Sequence, residues 1–264
     1  MRINRETVLV GRTVVLVPYR KQHVPTYHEW MKDPQIQQQT ASEPLSLDQE
    51  YEMQRTWAID EDKLTFIVLA RPEGQQDATD SLPVNELIAR CPMVGDVNIF
   101  FNEAHDDEPA GNGSDDGDEE DDAVADSRPT SPLPAGTRKG DKTYDAECEI
   151  MIAERDYRRK GLAKEALQLL FHYATTKNTP RPSPRHAGEA DVLPIPPNWL
   201  TCKISLDNHA SIALFERLGF VKVKTSEVWN EVEMRLHVHP CDKEATIGVR
   251  PQRVERWPLE EEEK

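Results

Sequence analysis

Two glutamates one residue apart, Glu147 and Glu149 in the run AECEIMIAE, stand just ahead of a basic turn, RRKGLA, at 158–163. On an extended strand alternate side chains share a face, so both carboxylates point one way and Cys148 the other. Like charges held close together raise the pKa of one of them, which suits a general base. Such a base has work to do with an amine. An α-amine titrates at about 7.7–8.0 and a lysine at about 10.4, so at neutral pH either must shed a proton before it can act as a nucleophile. The turn that follows has the pattern R-x-x-G-x-A. Gly161 and Ala163 leave the main chain open to close approach. A helix starting there presents unpaired N–H groups and the positive end of its dipole. With Arg158, Arg159 and Lys160 around it, this is a setting for an anion such as a pyrophosphate. Basic residues before a helix are also ordinary solvated surface, so the turn alone does not decide. It fits neither G-x-x-x-x-G-K-[ST] nor G-x-G-x-x-G, which leaves P-loop and dinucleotide folds unsupported.

The elements that must position these groups follow from hydrophobic period and punctuation. GRTVVLVPY (11–19), KLTFIVLA (63–70), PMVGDVNIFF (92–101), AECEIMIAE (146–154) and NWLTCKISL (198–206) read as strands. FVKVKTSEVW and NEVEMRLHV form a final pair. RKQHVPTYHEWMKD and SLDQEYEMQRTWAID read as helices, the second opened by the capping box Ser46/Gln49. The basic turn leads into a third helix, and NHASIALFERLGF is a fourth, stopped at Gly219. Residues 71–90 read as a polar loop. The order β-α-α-β-β-β-α-β-α-β-β predicts a mixed sheet with helices on both faces.

Composition separates an insert from the fold. The 264 residues carry a formal charge of −16, but residues 103–122 hold eleven acids and no Lys or Arg; without them the balance is −5. Residues 102–144 are too polar to offset their ordering entropy and are predicted to be disordered. Residues 178–197, with six prolines, read as a second irregular insert, and 240–264 as a loose tail. The acidity speaks against nucleic acid as a partner. No apolar run is long enough for a membrane span, and no leader is visible, so a cytoplasmic protein is expected, with the nucleus as the alternative. Cys91, Cys148, Cys202 and Cys241 form no C-x-x-C pair, and His237 with His239 lacks a third ligand, so no metal is expected.

Strand, basic glycine turn and helix, then strand, Asn-containing turn and a helix closing on Gly-Phe, together resemble the GNAT acyl-CoA-dependent N-acetyltransferases. The residues that carry this are Arg158–Ala163, against R/Q-x-x-G-x-G/A, and Asn208–Phe220, against N-x-x-S/A-x-x-L-[FY]-x-x-x-G-F. GRTVVLVPYRKQHVPTYHEWMKDP, TASEPLSLDQEYEMQ, MVGDVNIF and EIMIAE resemble the N-acetyltransferase 9-like branch. The resemblance covers everything except the two inserts and the tails. It implies an α/β (α+β) GNAT acyl-CoA N-acyltransferase fold in one domain, 1–239. Its sheet would be mixed, mostly antiparallel and seven-stranded, with helices on both faces, splayed between the fourth and fifth strands. Acetyl-CoA would be the donor and a protein amine, α or lysine, the acceptor. Attack would be direct, since no cysteine sits with a base in the motifs.

Residue roles follow from the same resemblance. Glu149 or Glu147 would be the base. Main chain at Met151, Ile152 and Ala153 would bind the pantetheine arm and the oxyanion, and the turn Arg158–Ala163, with Leu162, the pyrophosphate. Asn208 would touch the cofactor arm or cap its helix. Ser211 is a weak stand-in for the general acid, because Phe215 occupies the position where many relatives carry a tyrosine. Arg159 stands where relatives often have glycine. Ser42 and Glu43, in the loop expected to join the first two helices, would border the acceptor, and Asp96 with Asn98 would line its groove. The departures at Phe215 and Arg159 keep open a rival reading, a non-catalytic acyl-CoA-binding scaffold. Acetylation of a small polyamine is a third.

Overall fold

The computed structural model describes residues 2–40, 42–74, 76–103, 144–176, 193–238 and 247–259. The elements below belong to one compact unit, formed by the chain on either side of residues 103–144. The acidic insert, most of the Pro-rich insert, His239 and Cys241 lie outside the described residues.

Among the described residues nine strands make a single sheet: β1 (Thr7–Val10), β2 (Val14–Pro18), β3 (Lys63–Ala70), β4 (Met93–Glu103), β5 (Tyr144–Ile152), β6 (Leu200–Ser205), β7 (Phe220–Ser226), β8 (Glu231–Leu236) and β9 (Arg253–Arg256). Their spatial order is β7-β8-β6-β5-β4-β3-β2-β1-β9. The expected seven become nine for two reasons. The chain ahead of Gly11 forms its own strand, turned back on β2 through Gly11 N–H to Val14 O at 2.9 Å. And the expected loose tail supplies β9, which pairs antiparallel with β1 from Thr7↔Arg256 to Val10↔Arg253. Trp257 follows, 9% exposed, under the Arg20 guanidinium at 3.8 Å. A short, charge-rich segment hides this role in the sequence, because its apolar contribution is concentrated in one tryptophan.

Helices α1 (Val24–Trp30), α2 (Pro34–Gln39), α3 (Leu47–Ile59) and α5 (Val84–Arg90) accompany one apolar cluster, in which Val15, Val17, Ile67 and Leu69 of the sheet pack with Tyr27, Trp30, Ile36 and Leu87. α6 (Leu162–Thr175) and α7 (His209–Arg217) belong to the other, with Leu16, Phe66, Val97 and Cys148. Consecutive strand residues divide between the two clusters, as the period of two requires. The expected capping box at Ser46/Gln49 is present, and Gly219 ends α7 at φ 93°.

Two further expectations are corrected. Residues 71–90 are not a loop throughout: α4 (Gln76–Asp80) and α5 occur there, held because Leu87 is fully buried and buried Arg71 reaches Asp80 at 2.6 Å. Ser42 and Glu43 do not join the first two helices, since α2 intervenes, opened by Pro34 and capped by Asp33. The end of the Pro-rich insert is packed, with Leu193 and Ile195 buried and Ile195 N–H donating to Ala174 O.

Candidate active site

β5 and β6 run parallel, yet they pair only at Ala146↔Leu200 and Glu147↔Thr201. Both strands continue, β5 to Ile152 and β6 to Ser205, without further pairing between them. The sheet therefore opens between them toward their C-terminal ends. This is the expected splay, moved one strand along by the extra β1.

The two glutamates stand at this opening and differ in surroundings. Glu147 accepts from Lys203 Nζ at 3.2 Å and from Asn102 Nδ2 at 3.5 Å. Glu149 is exposed at the cleft mouth, with protein crowding its carboxyl on the other sides. That low-polarity surrounding pushes its carboxyl up to about 7; Asp96 and then Glu147 add to the rise, and Lys203 opposes it. Asp96 lies on the same face of β4, its partner in β3 being Ile67, as Thr65 is that of Asn98. It is 2% exposed, accepts from Asn98 Nδ2 at 2.8 Å, and is raised by burial to about 6. Asp96 Oδ1 and Asn98 Oδ1 are buried without a hydrogen-bond partner. Burial, followed by the charge of Asp96, raises the Tyr27 phenol of α1 far above its ordinary value; Glu149 acts in the same direction.

The chain leaves β5 through a bracket that fixes the basic turn. Ala153 N–H donates to Val94 O at 2.9 Å, and Trp30 Nε1 to Glu154 Oε1 at 2.7 Å. Arg158 folds back, Nε donating to Ile152 O at 2.7 Å and an Nη to Ala153 O at 3.0 Å. Its guanidinium thus shapes the turn. Lys160 pairs with Glu73 at 2.9 Å and lies beside Tyr157. Arg159 and Gly161 both adopt left-handed φ, 63° and 85°. Glycine suits such a φ and arginine resists it, which gives Arg159 its oddity in the motif. A Cβ on Gly161 would meet no atom within 4 Å, so space is open on that side of the turn. α6 starts at Leu162, and the N–H groups of its first turn have no intrahelical acceptors. Glu165 secures this end of α6, accepting from the main chain of Arg12 and Thr13 and from the Thr13 hydroxyl.

The cleft therefore brings together Glu147, Glu149, Asp96, Asn98, the end of β5 and the turn to Ala163. Not all predicted residues join it in the expected manner. The Ala153 amide is committed to Val94, which leaves it unavailable to an oxyanion. Leu162 is 6% exposed and packs in the core. Phe215 is 2% exposed, its ring edge-on to Phe220 at 5.0 Å, so its side chain serves the core. Asn208 takes the second of its two expected roles and caps α7, accepting from Ser211 N–H at 3.2 Å. Ser42 is held locally by Thr40, and Glu43 is exposed. Sequence reasoning missed Lys203, Tyr27 and the Trp30–Glu154 bond. Only Lys203 left a trace, as the lone charge in the apolar strand LTCKIS. A cavity of about 680 Å³ lined by Tyr19, Tyr51 and Gln54 contains neither carboxylate nor the basic turn.

Comparison with known proteins agrees with this architecture. Residues 129–221 match the family model described as an acetyltransferase (GNAT) domain. The chain is 36% identical over 235 residues to an N-acetyltransferase 9-like protein of Nematostella vectensis, covering 89% of this chain and 88% of that protein. It is 38% identical over 238 residues to the mouse protein named alpha/beta-tubulin-N-acetyltransferase 9, covering 90% and 74%. Among solved structures, spermidine N-acetyltransferase from Vibrio cholerae in complex with CoA and spermine shares the fold at TM-score 0.50 and 14% identity, covering 84% of this chain and 93% of that one. With identity above a third across most of both chains, this protein belongs to the GNAT acetyltransferases, in their N-acetyltransferase 9-like branch, and is an acetyl-CoA-dependent N-acetyltransferase.

Proposed function

We propose that this enzyme acetylates a protein amine by direct attack on acetyl-CoA, with Glu149 as the general base. The observation that carries this is the position of Glu149: exposed at the opening of the splayed strands and beside Asp96, where crowding by protein and by that second carboxylate raises it to about 7. Glu147 is the lesser candidate, because Lys203 holds its carboxylate. The gap between β5 and β6 accommodates the pantetheine arm, whose amides can pair with strand main chain left unpaired there. The pyrophosphate rests on the first-turn amides of α6 at Gly161. Acetyl-CoA supplies an activated acyl carbon. The chain's own residues orient it and remove the amine proton.

The acceptor class rests on kinship: the mouse relative is named for α/β-tubulin, so tubulin is the first protein to test, beside a peptide library with free α-amines and lysines. Among the described residues no helix is long and apolar enough to cross a membrane, and a cytoplasmic setting fits such an acceptor. Mass spectrometry after incubation with isotope-labelled acetyl-CoA identifies the modified nitrogen. Glu149→Gln should lose about 10²–10⁴-fold in kcat while still binding CoA. Absence of labelled product from every protein and peptide acceptor, with CoA bound tightly, would overturn the choice of a protein amine.

A further inference from the structure

Loss of a tyrosine at Phe215 leaves open which group meets the negative charge that leaves with sulfur. The sheet register points to a different element. Glu147 pairs with Thr201, so continuing the register by two residues sets Lys203 of β6 level with Glu149 of β5, one on each lip of the gap. Thr201 and Lys203 have the same strand parity, so both side chains lie on the glutamate face. Lys203 is the residue of β6 classed as exposed, in a strand otherwise buried or half-buried. It is also anchored: Nζ lies 3.2 Å from Glu147 Oε2, and its cross-strand partner is Glu233 of β8. An anchored ammonium at the edge of a cleft is preorganised for charge that develops there.

We propose that Lys203 is a catalytic residue, its ammonium facing the thioester across the β5–β6 gap from Glu149 and stabilising the thiolate as the C–S bond breaks. This rests on the proposed function above. The amine nitrogen forms the new C–N bond and its proton passes to Glu149. The C–S electron pair stays on sulfur, which leaves as a thiolate paired with Lys203. A proton from Glu149, or from water, then restores the thiol. Lys203 keeps its own proton throughout. Burial works against the ammonium, but Glu147, with Glu231 and Glu233 of β8, outweighs it and holds the group above its ordinary value, whereas a CoA-type thiol lies near 8.5. The contribution is therefore electrostatic, which a buried phenylalanine at 215 does not prevent.

The first measurement needs no acceptor, and the second uses an acceptor identified by the labelling experiment above. Free CoA is bound to the full-length protein and its thiol is titrated by the ultraviolet absorbance of the thiolate, in wild type, Lys203→Met and Lys203→Arg. The groups facing Lys203 are Glu147, Glu231 and Glu233; those facing Glu149 are Asp96, Glu147, Lys203 and Tyr27. Expected is a bound thiol that titrates about one unit higher in Lys203→Met than in wild type, with Lys203→Arg close to wild type. Acetyl transfer by Lys203→Met should fall about 10²-fold in kcat with KM for acetyl-CoA within about threefold. The same thiol titration in all three proteins overturns the assignment, as does an undiminished kcat in Lys203→Met. If Lys203→Met fails to fold, a Lys203→Arg protein that binds CoA but leaves its thiol at the free value does so too. Failure of wild type to bind CoA at all would instead remove the proposed function, so the two failures are distinguishable.

Discussion

At the scale of single residues, the site is governed by the company its carboxylates keep. Glu149 and Glu147 are chemically alike and adjacent on one face, yet one is raised to about 7 and the other is held by a lysine. A base must be ionised to accept a proton, so kcat/KM should rise with pH through about 7. Asp96→Asn removes the largest like charge on Glu149 and should move that limb to lower pH, read from a pH–rate profile. The same change has a stability signature of known sign. Folding raises Asp96 from 3.8 to about 6, so the native state retains a proton that the unfolded chain has released. The stability that Asp96 contributes is therefore fully present below about 4 and is lost as pH rises through about 6. Asp96→Asn should raise the urea midpoint at pH 8 and leave it nearly unchanged at pH 4.

At the scale of elements, the turn between β5 and α6 concentrates the backbone demands of the site. Two left-handed residues within three positions aim the start of α6, and Arg158 ties the turn to the last carbonyls of β5. Gly161→Ala meets no steric obstacle, so its cost is the backbone term of about 1–2 kcal/mol. It should lower thermal stability and weaken CoA in calorimetry. Arg159→Gly should act the other way on stability, relieving about 1 kcal/mol of strain, less what glycine returns to the unfolded chain. A lower melting temperature for Arg159→Gly would show that the side chain holds the turn through contacts. The motif R-x-x-G-x-A was legible in the sequence because glycine and charge are local signals. That Arg158 faces its own main chain was not legible, since this depends on where β5 ends.

At the scale of the whole molecule, the C-terminal segment is a structural member. Gly248 packs so closely on α6 that a Cβ there would collide with the Gln168 carbonyl oxygen, and β9 closes the sheet beside β1. Trp257→Ala removes a buried ring and its stack on Arg20, and should cost about 3 kcal/mol or more, measured by the denaturant midpoint. Truncation before Gly248 should be more severe still. An unchanged midpoint in Trp257→Ala would return this segment to the status of a tail. Its role escaped sequence reading because a four-residue strand with alternating charge carries almost no periodic signal, and its partner lies at the other end of the chain.

The sequence by itself determined the strands at 63–70, 92–101 and 198–206, the capped helices, the two motifs and, through them, the kinship. Each is written in patterns a few residues long, where period, caps and glycines act locally. Only the tertiary structure decided that β5 and β6 part after one paired step, that Lys203 faces the glutamates, that Phe215 belongs to the core and that the chain's end completes the sheet. Those outcomes depend on which surfaces meet across long separations. Burial and cross-strand charge arise only once they have met, so no local pattern encodes them.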